Sequence, residues 1–307
     1  MSEIFSMTDL GEANFILGIE LIRQNGLISL SQRNYITEIA TKFNLLNAKP
    51  VSTPMVEGNV LSKNDCPNTQ EMKDQMINVP YQSAIGSVMY CMLATRPDIS
   101  YAITVLSRFS SNPGFVHWNA LKRLIVYLYS TRDLTLTYGL HNSDDLLVGW
   151  CDANYAGCID DRKSYTGYVF KLFGSVVSWQ AKKQQTVANS SAESEYMSQS
   201  QATRESLWWI SILTFLGYHV PLPINILSDS QSAIAIAQNP TNHSRAKHID
   251  VIFHHLRDTI EKGKIKLSYV STEENTADIF TKALGVSRHK LLTEHLGLRC
   301  MEKGRDC

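Results

Sequence analysis

Beyond Asp133 the chain alternates between short apolar runs with the two-residue period of strands and longer segments with helical periodicity. The pattern predicts strands near residues 134–138, 146–153, 165–172, 175–180, 223–228 and 264–270, and helices near 191–217, 230–238, 247–262, 275–283 and 287–296. Strands that come first and then alternate with helices are typical of a mixed sheet covered by helices. The sequence therefore predicts an α/β fold for this half of the chain.

Four acidic residues stand where these predicted strands end or predicted helices begin, namely Asp152, Glu195, Asp229 and Asp278. Asp152 and Asp229 follow apolar runs and are predicted at buried strand ends, whereas the other two follow residues that favour helix starts. Four carboxylates brought together cannot all stay ionised without a counter-charge, and divalent cations bound by oxygen atoms usually supply it. The set indicates metal-dependent phosphoryl chemistry, although any one of these residues alone would more often be a cap or a surface charge.

The first half of the chain has a different pattern. Apolar and polar residues alternate on both sides of Asn25-Gly26 across residues 13–32, which predicts a β-hairpin. A helix capped by Ser31 is expected next, followed by a polar, proline-rich loop from residue 44 to about 80. Three helical patterns, at residues 81–93, 98–109 and 116–129, then predict a helical bundle.

Composition limits the function classes. The chain has 307 residues with 29 Lys plus Arg and 29 Asp plus Glu, so the whole molecule carries no net charge that would attract nucleic acid. Its six cysteines lack CxxC pairs and zinc-finger spacing, which favours free thiols, no structural zinc and a reducing compartment. Residues 207–220 are too few to span a bilayer, and the N-terminal residues lack a signal pattern. We expect an intracellular protein, cytoplasmic or nuclear, that is neither secreted nor membrane-bound.

Short motifs are distributed over nearly the whole chain, from about residue 5 to residue 297. Those in the first half are Met7-Thr8-Asp9-Leu10-Gly11-Glu12, Phe15-Ile16-Leu17-Gly18-Ile19-Glu20, Tyr81-Gln82-Ser83-Ala84-Ile85-Gly86-Ser87, Arg96-Pro97-Asp98-Ile99 and His117-Trp118-Asn119-Ala120-Leu121-Lys122-Arg123. Those in the second half are Asp152-Ala153-Asn154-Tyr155-Ala156-Gly157, Ser164-Tyr165-Thr166-Gly167-Tyr168, Ala192-Glu193-Ser194-Glu195-Tyr196-Met197, Ser228-Asp229-Ser230-Gln231-Ser232-Ala233, Lys247-His248-Ile249-Asp250 and Asn275-Thr276-Ala277-Asp278-Ile279-Phe280-Thr281-Lys282. Together they resemble the C-terminal part of the Pol polyprotein of copia-type LTR retrotransposons.

The resemblance implies the end of a reverse transcriptase followed by a ribonuclease H domain. The implied parts are a palm-edge remnant at residues 1–57, a helical thumb-like or connection-like segment at 58–132, a ribonuclease H-like mixed sheet with helices on both faces at 133–298, and a tail at 299–307. The family's polymerase active site would precede Asp9, so polymerase activity is not expected from this chain. Asp144-Asp145 resembles the paired aspartates of that site but leads directly into the predicted strand of Asp152, which places it in the ribonuclease domain.

The resemblance also implies a catalytic, metal-ligating carboxylate at each of Asp152, Glu195, Asp229 and Asp278, around two Mg²⁺ ions about 4 Å apart, with Mn²⁺ as an alternative. Glu193 competes with Glu195 for this role. The apolar residues that follow Glu195 fit the family pattern better, and side chains two positions apart on a helix point about 200° apart, so only one can face the metals. We therefore assign Glu195. The implied products carry a 5′ phosphate and a 3′ hydroxyl.

The implied partner is an RNA–DNA hybrid, together with the remaining domains of the polyprotein. Asn154, Ser230 and Gln231 are placed for contacts with 2′-hydroxyl groups in the minor groove. Further candidate nucleic-acid contacts are the cationic residues Arg162, Lys163, Lys182, Arg245 and Lys247, which could equally be solvated surface charges. His248 is another candidate, and its alternatives are to cap or pack at the start of its helix. Trp208 and Trp209 are expected to pack in the core rather than stack on bases.

The leading interpretation is a ribonuclease H, and the alternative is a non-catalytic nucleic-acid-binding remnant of a transposon polyprotein. The complete carboxylate set favours the enzyme, whereas the missing polymerase motif favours the remnant. The loop before Asp278 reads Ser271-Thr272-Glu273-Glu274 where cellular relatives have a histidine that assists product release, so slower turnover is expected. The sequence leaves the oligomeric state and the host role open.

Overall fold

The computed structural model describes residues 11–139, 146–172, 174–239 and 250–300, with side chains from residue 254 onward in the last range. In chain order its strands and helices are β1 (Phe15–Ile16), β2 (Ile19–Gln24), β3 (Leu27–Ser31), α1 (Arg33–Lys42), α2 (Gln70–Met76), α3 (Tyr81–Ala94), α4 (Ser100–Ser107), α5 (Phe115–Ser130), β4 (Leu134–Tyr138), β5 (Leu147–Asn154), β6 (Tyr165–Leu172), β7 (Ser175–Lys183), α6 (Ser191–Phe215), β8 (Ile224–Ser228), α7 (Gln231–Gln238), α8 (Asp250–Glu261), β9 (Ile265–Tyr269), α9 (Val286–His295) and β10 (Leu298–Cys300). These elements form two sheets with helices around them.

The first sheet is antiparallel and has the strand order β1-β2-β3-β4-β10. Its central hairpin turns at Asn25 and Gly26, where the φ angles of 54° and 76° are the left-handed values that a two-residue hairpin turn of this kind requires. The hairpin predicted around these two residues is therefore present. Two strands from much later in the sequence complete this sheet, since β4 pairs with β3 and β10 pairs with β4.

The helices of the first half form one core. On α1 the buried residues Ile36, Ile39 and Ala40 recur at helical spacing and turn one face inward. This face packs against α3 and α5, whose Val88 and Leu124 are fully buried. The helical bundle predicted for this segment is present, and it also contacts the second sheet through α4 and β7.

The second sheet is mixed and has the strand order β7-β6-β5-β8-β9. Strands β5, β6 and β7 form an antiparallel meander, whereas β8 runs parallel to β5 and β9 runs parallel to β8. Tyr168 and Phe170 of β6 face α6 and belong to a core shared with α7 and α8. Val169 points to the opposite face, where it packs in a core with Phe280 and with Leu292 of α9. A mixed sheet with helices on both faces is the predicted ribonuclease H-like fold, which is confirmed.

Three local expectations were wrong. The strand at residues 134–138 joins the first sheet instead of the second, because its partner is the exposed edge of the hairpin. The predicted helix at 275–283 is a short 3₁₀ turn at Thr276–Phe280, and Thr281, which follows it, bonds through its hydroxyl to the carbonyl of Asp278 and to the Asp152 carboxylate. The loop at 44–80 contains α2, capped by the Thr69 hydroxyl, which accepts from the amide of Met72. The proposed domain boundaries stay a prediction.

In the part of the chain that the structure describes, no helix is long and apolar enough to cross a membrane. Cys66, Cys91, Cys151 and Cys158 are free thiols, as expected. Cys300 is disulfide-bonded, which corrects the expectation that every cysteine is a thiol.

A buried ion pair joins the helical bundle to the C-terminal helix. Arg96 is fully buried, and its guanidinium donates to both carboxylate oxygens of Asp98, at 2.9 and 2.7 Å, and to the backbone and hydroxyl oxygens of Thr131. The hydroxyl of Tyr127 donates to the same carboxylate at 2.7 Å. The carbonyl of Asp98 lies 3.3 Å from the Nε2 atom of His289 on α9. Because each buried charge has several partners, neither can be removed alone without a large loss.

The substitution Arg96→Met should destabilise the protein by about 3–5 kcal/mol, because it leaves the Asp98 carboxylate buried and without its counter-charge. Urea unfolding of the single variant and of the double variant Arg96→Met/Asp98→Asn measures the effect. The double variant should regain part of the loss, since an asparagine oxygen still accepts from Tyr127. A double variant that is less stable than the single one would contradict this account.

Candidate active site

Two of the four predicted site residues come together because β5 and β8 are adjacent and parallel. Trp150 of β5 pairs with Leu227 of β8, and each is followed two residues later by an aspartate, Asp152 and Asp229. The carboxyl ends of neighbouring parallel strands meet at one edge of a sheet, which is where ligands bind in many α/β folds. A hydrogen bond from α6 also fixes this end of β5: the Ser198 hydroxyl donates to the Asp152 carbonyl at 2.7 Å.

Helix α6 adds the third carboxylate. Its N-terminal cap is Ser190, whose hydroxyl accepts from the amide of Glu193. The carboxylate of Glu193 turns back to accept from the amide and side chain of Asn189, both at 2.9 Å, so this residue stabilises the helix start. Glu195 points to the sheet instead, and its Oε1 atom accepts from the amide of Ala153 at 3.2 Å. The structure therefore brings Glu195, and not Glu193, to Asp152.

Asp152, Glu195 and Asp229 form a compact cluster, in which one carboxylate oxygen of each lies within 4.8 Å of the others. Asp152 is 4% exposed and Glu195 is 9% exposed, while Asp229 is half-buried. The Oε2 atom of Glu195 is buried and has no hydrogen-bond partner among the described residues. Asp229 accepts from the hydroxyl of Thr272 at 2.7 Å.

Asp278 is buried beside this cluster but is paired with cations. Its Oδ1 atom lies 2.9 Å from the ammonium of Lys282, and its Oδ2 atom lies 3.3 Å from the guanidinium of Arg288 on α9. Arg288 also donates to the carbonyls of Thr272 and Glu273, so it holds the preceding turn at Thr272–Glu274 as well. The structure thus gathers three of the four predicted carboxylates into one ligand cluster and places the fourth in an ion-pair network next to it.

The electrostatics of the cluster follow from its burial and from like-charge repulsion. Burial raises the pKa of Asp152 to about 7, and the carboxylate of Asp278 adds to this, whereas Lys282 and the Thr281 hydroxyl oppose it. Burial and the carboxylates of Asp152 and Asp229 raise the pKa of Glu195 to about 10. Burial alone would lower the pKa of Lys282, but the carboxylates of Asp152 and Asp278 raise it. Without further positive charge, the cluster therefore holds protons that exposed carboxyl groups would release.

This donor set fits a hard divalent cation. Its ligands are all carboxylate oxygens, which Mg²⁺ and Mn²⁺ accept, and the described part of the site offers no sulfur ligand. The unpartnered Oε2 atom of Glu195 is a buried acceptor that a cation would satisfy. A cation would also remove the repulsion that raises the pKa values of Asp152 and Glu195.

The predicted nucleic-acid contacts that the structure describes lie around this edge of the sheet and differ in how exposed they are. Asn154 is half-buried at the end of β5, and its amide donates to the carbonyl of Thr281. Ser230 caps α7 by accepting from the amide of Ala233, and Gln231 is exposed in the next position. Arg162 and Lys182 are exposed and Lys163 is half-buried, whereas Arg245, Lys247 and His248 lie outside the described residues.

Sequence reasoning missed the cations of the site. Lys282 lies four residues after Asp278, which is the ion-pair spacing of a helix and was the available signal. Arg288 had no such signal, because the bond to Asp278 depends on how α9 packs. The expectation for Trp208 was also wrong, since its side chain is 52% exposed, whereas Trp209 packs against the second core.

A model for the reverse transcriptase (RNA-dependent DNA polymerase) family matches residues 1–57. The retrovirus-related Pol polyprotein from transposon TNT 1-94 of Nicotiana tabacum is 43% identical over 97% of this chain and 22% of its own length. The corresponding polyprotein from transposon RE2 of Arabidopsis thaliana is 36% identical over 92% of this chain and 19% of its own length. Among solved structures, LC11-RNase H1 in complex with an RNA/DNA hybrid covers 44% of this chain and 93% of its own, with 12% identity and a TM-score of 0.33.

The strand order of the mixed sheet, with helices on both faces, is that of a ribonuclease H-like fold. The chain belongs to the family of retrovirus-related Pol polyproteins from copia-type transposons. It spans about a fifth of the length of these curated relatives.

Without divalent cations, the free energy of unfolding should fall as the pH rises from about 4 to about 10. A carboxyl group whose pKa is raised by folding stabilises the fold fully below its unfolded pKa and loses that contribution as the pH rises through its folded pKa. Asp152, with its pKa raised to about 7, and Glu195, with its pKa raised to about 10, set this window. Urea unfolding in EDTA at several pH values measures the slope.

The variant Asp152→Asn should flatten this slope and raise stability in EDTA at pH 8 by on the order of 2 kcal/mol, because it removes the buried charge. The asparagine oxygen can still accept from the Thr281 hydroxyl. A variant that is less stable than wild type under these conditions would show that the buried charge of Asp152 does not destabilise the fold.

Proposed function

We propose that the chain is a ribonuclease H that hydrolyses the RNA strand of RNA–DNA hybrids with divalent metal ions. The observation that carries this proposal is the cluster of Asp152, Glu195 and Asp229, whose carboxylate oxygens lie within 4.8 Å of one another at the edge of the sheet. The ribonuclease H-like fold and membership in the Pol family support it.

The side chains of the cluster have separate tasks in this proposal. Asp152 lies on β5, the central strand of the sheet, and is the most deeply buried of the three proposed metal ligands. Glu195 is fixed through Oε1 by the amide of Ala153, which leaves Oε2 to bind metal. Asp229 is oriented by the Thr272 hydroxyl and lies on the more exposed side. When bound, two Mg²⁺ or Mn²⁺ ions supply the charge that activates the attacking water and stabilises the leaving 3′ oxygen.

We assign Asp278 as the fourth carboxylate. Lys282 and Arg288 hold its side chain in place, with N···O distances of 2.9 and 3.3 Å. The negative charge of Asp278, which raises the pKa of Asp152, therefore has a fixed position. In this proposal Lys282 and Arg288 are positioning residues that keep the turn at Thr276–Phe280 against the end of β5.

Substrate selection is assigned to the polar groups beside the cluster. Asn154, Ser230 and Gln231 are proposed to contact the 2′-hydroxyl groups that distinguish RNA from DNA. The exposed cations Arg162 and Lys182, with Lys163, are proposed to contact phosphates. The products would carry a 5′ phosphate and a 3′ hydroxyl, and the rest of the polyprotein is the proposed further partner.

A matched pair of substitutions on α6 tests the proposal. Glu195→Gln should lower the rate of hybrid cleavage by about 100-fold or more, because it removes a ligand charge with little change in volume. Glu193→Gln should stay within about threefold of wild type, since the carboxylate of this residue turns back to the helix start and not to the cluster. Cleavage of an end-labelled RNA–DNA hybrid in Mg²⁺ measures both variants, and Asp229→Asn should match Glu195→Gln.

Equal losses in the two glutamate variants would contradict the assignment of Glu195. A folded wild-type chain that binds the hybrid but does not cleave it in Mg²⁺ or Mn²⁺ would support the alternative, a non-catalytic remnant. Urea unfolding of each variant is the control for a loss of activity that comes from unfolding.

A further inference from the structure

A groove of about 600 Å³ lies between the end of β7 and helix α6, on the face of the sheet that α6 covers. Strand β7 contributes alternate residues, Gln180 and Lys182, and Gln184 follows in the same alternation. Helix α6 contributes a stripe at helical spacing that includes Gln201, Arg204 and Trp208. Gln185 and Thr186 also line it, so the groove is formed by the end of a strand, the segment that follows the strand and one side of a helix.

The charged groups that remain free in this groove are positive. Arg204 and Lys182 have no ion-pair partner within the described part of the chain, and both are exposed. Lys183 is paired with Asp161 at 2.7 Å. The one acidic lining residue, Glu205, is already engaged, because its carboxylate accepts from the hydroxyls of Tyr168 and Ser178. The surface offered to a ligand therefore favours an anion.

An aromatic surface lies beside these cations. Trp208 is 52% exposed, although large aromatic side chains usually bury most of their area. Its ring meets Trp209 edge to face, with the ring centroids 5.2 Å apart, so Trp208 is held in place by a residue that packs against the core. An indole ring fixed at the surface next to an arginine is suited to stack on a nucleic-acid base.

The oxygen of a buried side-chain amide that lines the groove lacks a hydrogen-bond partner among the described residues. Gln184 is 3% exposed, and its Nε2 atom donates to the Thr166 hydroxyl at 2.9 Å and to the Ser194 carbonyl at 3.0 Å. The Ser194 carbonyl can only accept, which fixes the orientation of the amide. The Oε1 atom of Gln184 has no hydrogen-bond partner among the described residues. It is an acceptor for a ligand hydroxyl or amine, and the amide that carries it is bonded to Ser194, the residue before Glu195.

We propose that this groove is a binding site for single-stranded nucleic acid. Phosphates would lie along Lys182 and Arg204, a base would stack on Trp208, and Gln184 would accept from a sugar hydroxyl or a base amine. From Ser194 to Trp208 the helix is about 21 Å long, which suits a few nucleotides. The site goes beyond the proposed hydrolysis of a hybrid, because it would hold an unpaired strand that continues from the catalytic cluster.

Binding of fluorescein-labelled twelve-nucleotide dT and rU strands to the full chain, measured by anisotropy in EDTA and low salt, tests the proposal without any cleavage. Trp208→Ala and Arg204→Glu should each weaken the affinity by about tenfold, the lower range of a lost base stack or phosphate contact. The tighter of the two strands identifies whether DNA or RNA is the ligand. Because no metal is present, the result is independent of the proposed nuclease activity.

Two matched controls lie outside the groove. Phe215→Ala removes an aromatic side chain that is 88% exposed at the end of the same helix, and Lys266→Glu reverses an exposed charge on β9, at the other edge of the sheet. Both should bind within about twofold of wild type, since neither residue lines the groove. Equal affinity in all four variants, or a wild-type chain that binds neither strand, would overturn the proposal. Arg204→Glu, at an exposed position, keeps the test valid if Trp208→Ala unfolds.

Discussion

Like-charge repulsion among buried carboxylates is the constraint on which the site depends. Asp152, Glu195 and Asp229 come from a strand, a helix and a strand end, yet their oxygens lie within 4.8 Å of one another. Burial and mutual repulsion raise the pKa values of Asp152 and Glu195, so the fold holds these groups together at a cost in stability. The parallel register of β5 and β8 and the amide of Ala153 keep the cluster in place, and a bound divalent cation would relieve its repulsion.

Helix α9 connects this cluster to the helical bundle of the first half. Its Arg288 contacts Asp278, and the next residue, His289, contacts the carbonyl of Asp98 in the buried Arg96 network. The first sheet joins the same parts, because β4 and β10 complete a sheet begun by the N-terminal hairpin. The helical bundle is therefore linked to the candidate site through α9 and supports it structurally.

Much of the fold and the site could be predicted from the sequence, because local pattern and the resemblance agreed there. The apolar runs before Asp152 and Asp229 predicted both residues at strand ends. The residues that follow Glu195 favoured it over Glu193, since side chains two positions apart on a helix point in different directions. The pairing of strands that are distant in the sequence could not be predicted, because no local feature of β4 indicates which sheet edge it joins. The ion pair of Asp278 with Arg288 depends on the packing of α9, and no local feature of the sequence indicated that Trp208 is exposed.

The central claim is that the three carboxylates form a divalent-cation site, and anomalous scattering from crystals grown with Mn²⁺ tests it most directly. The account predicts an anomalous peak in contact with carboxylate oxygens of Asp152, Glu195 and Asp229, and its loss or strong weakening in crystals of Glu195→Gln. Well-ordered crystals at saturating Mn²⁺ that show no peak at the cluster, or the same peak in the variant, would contradict the account.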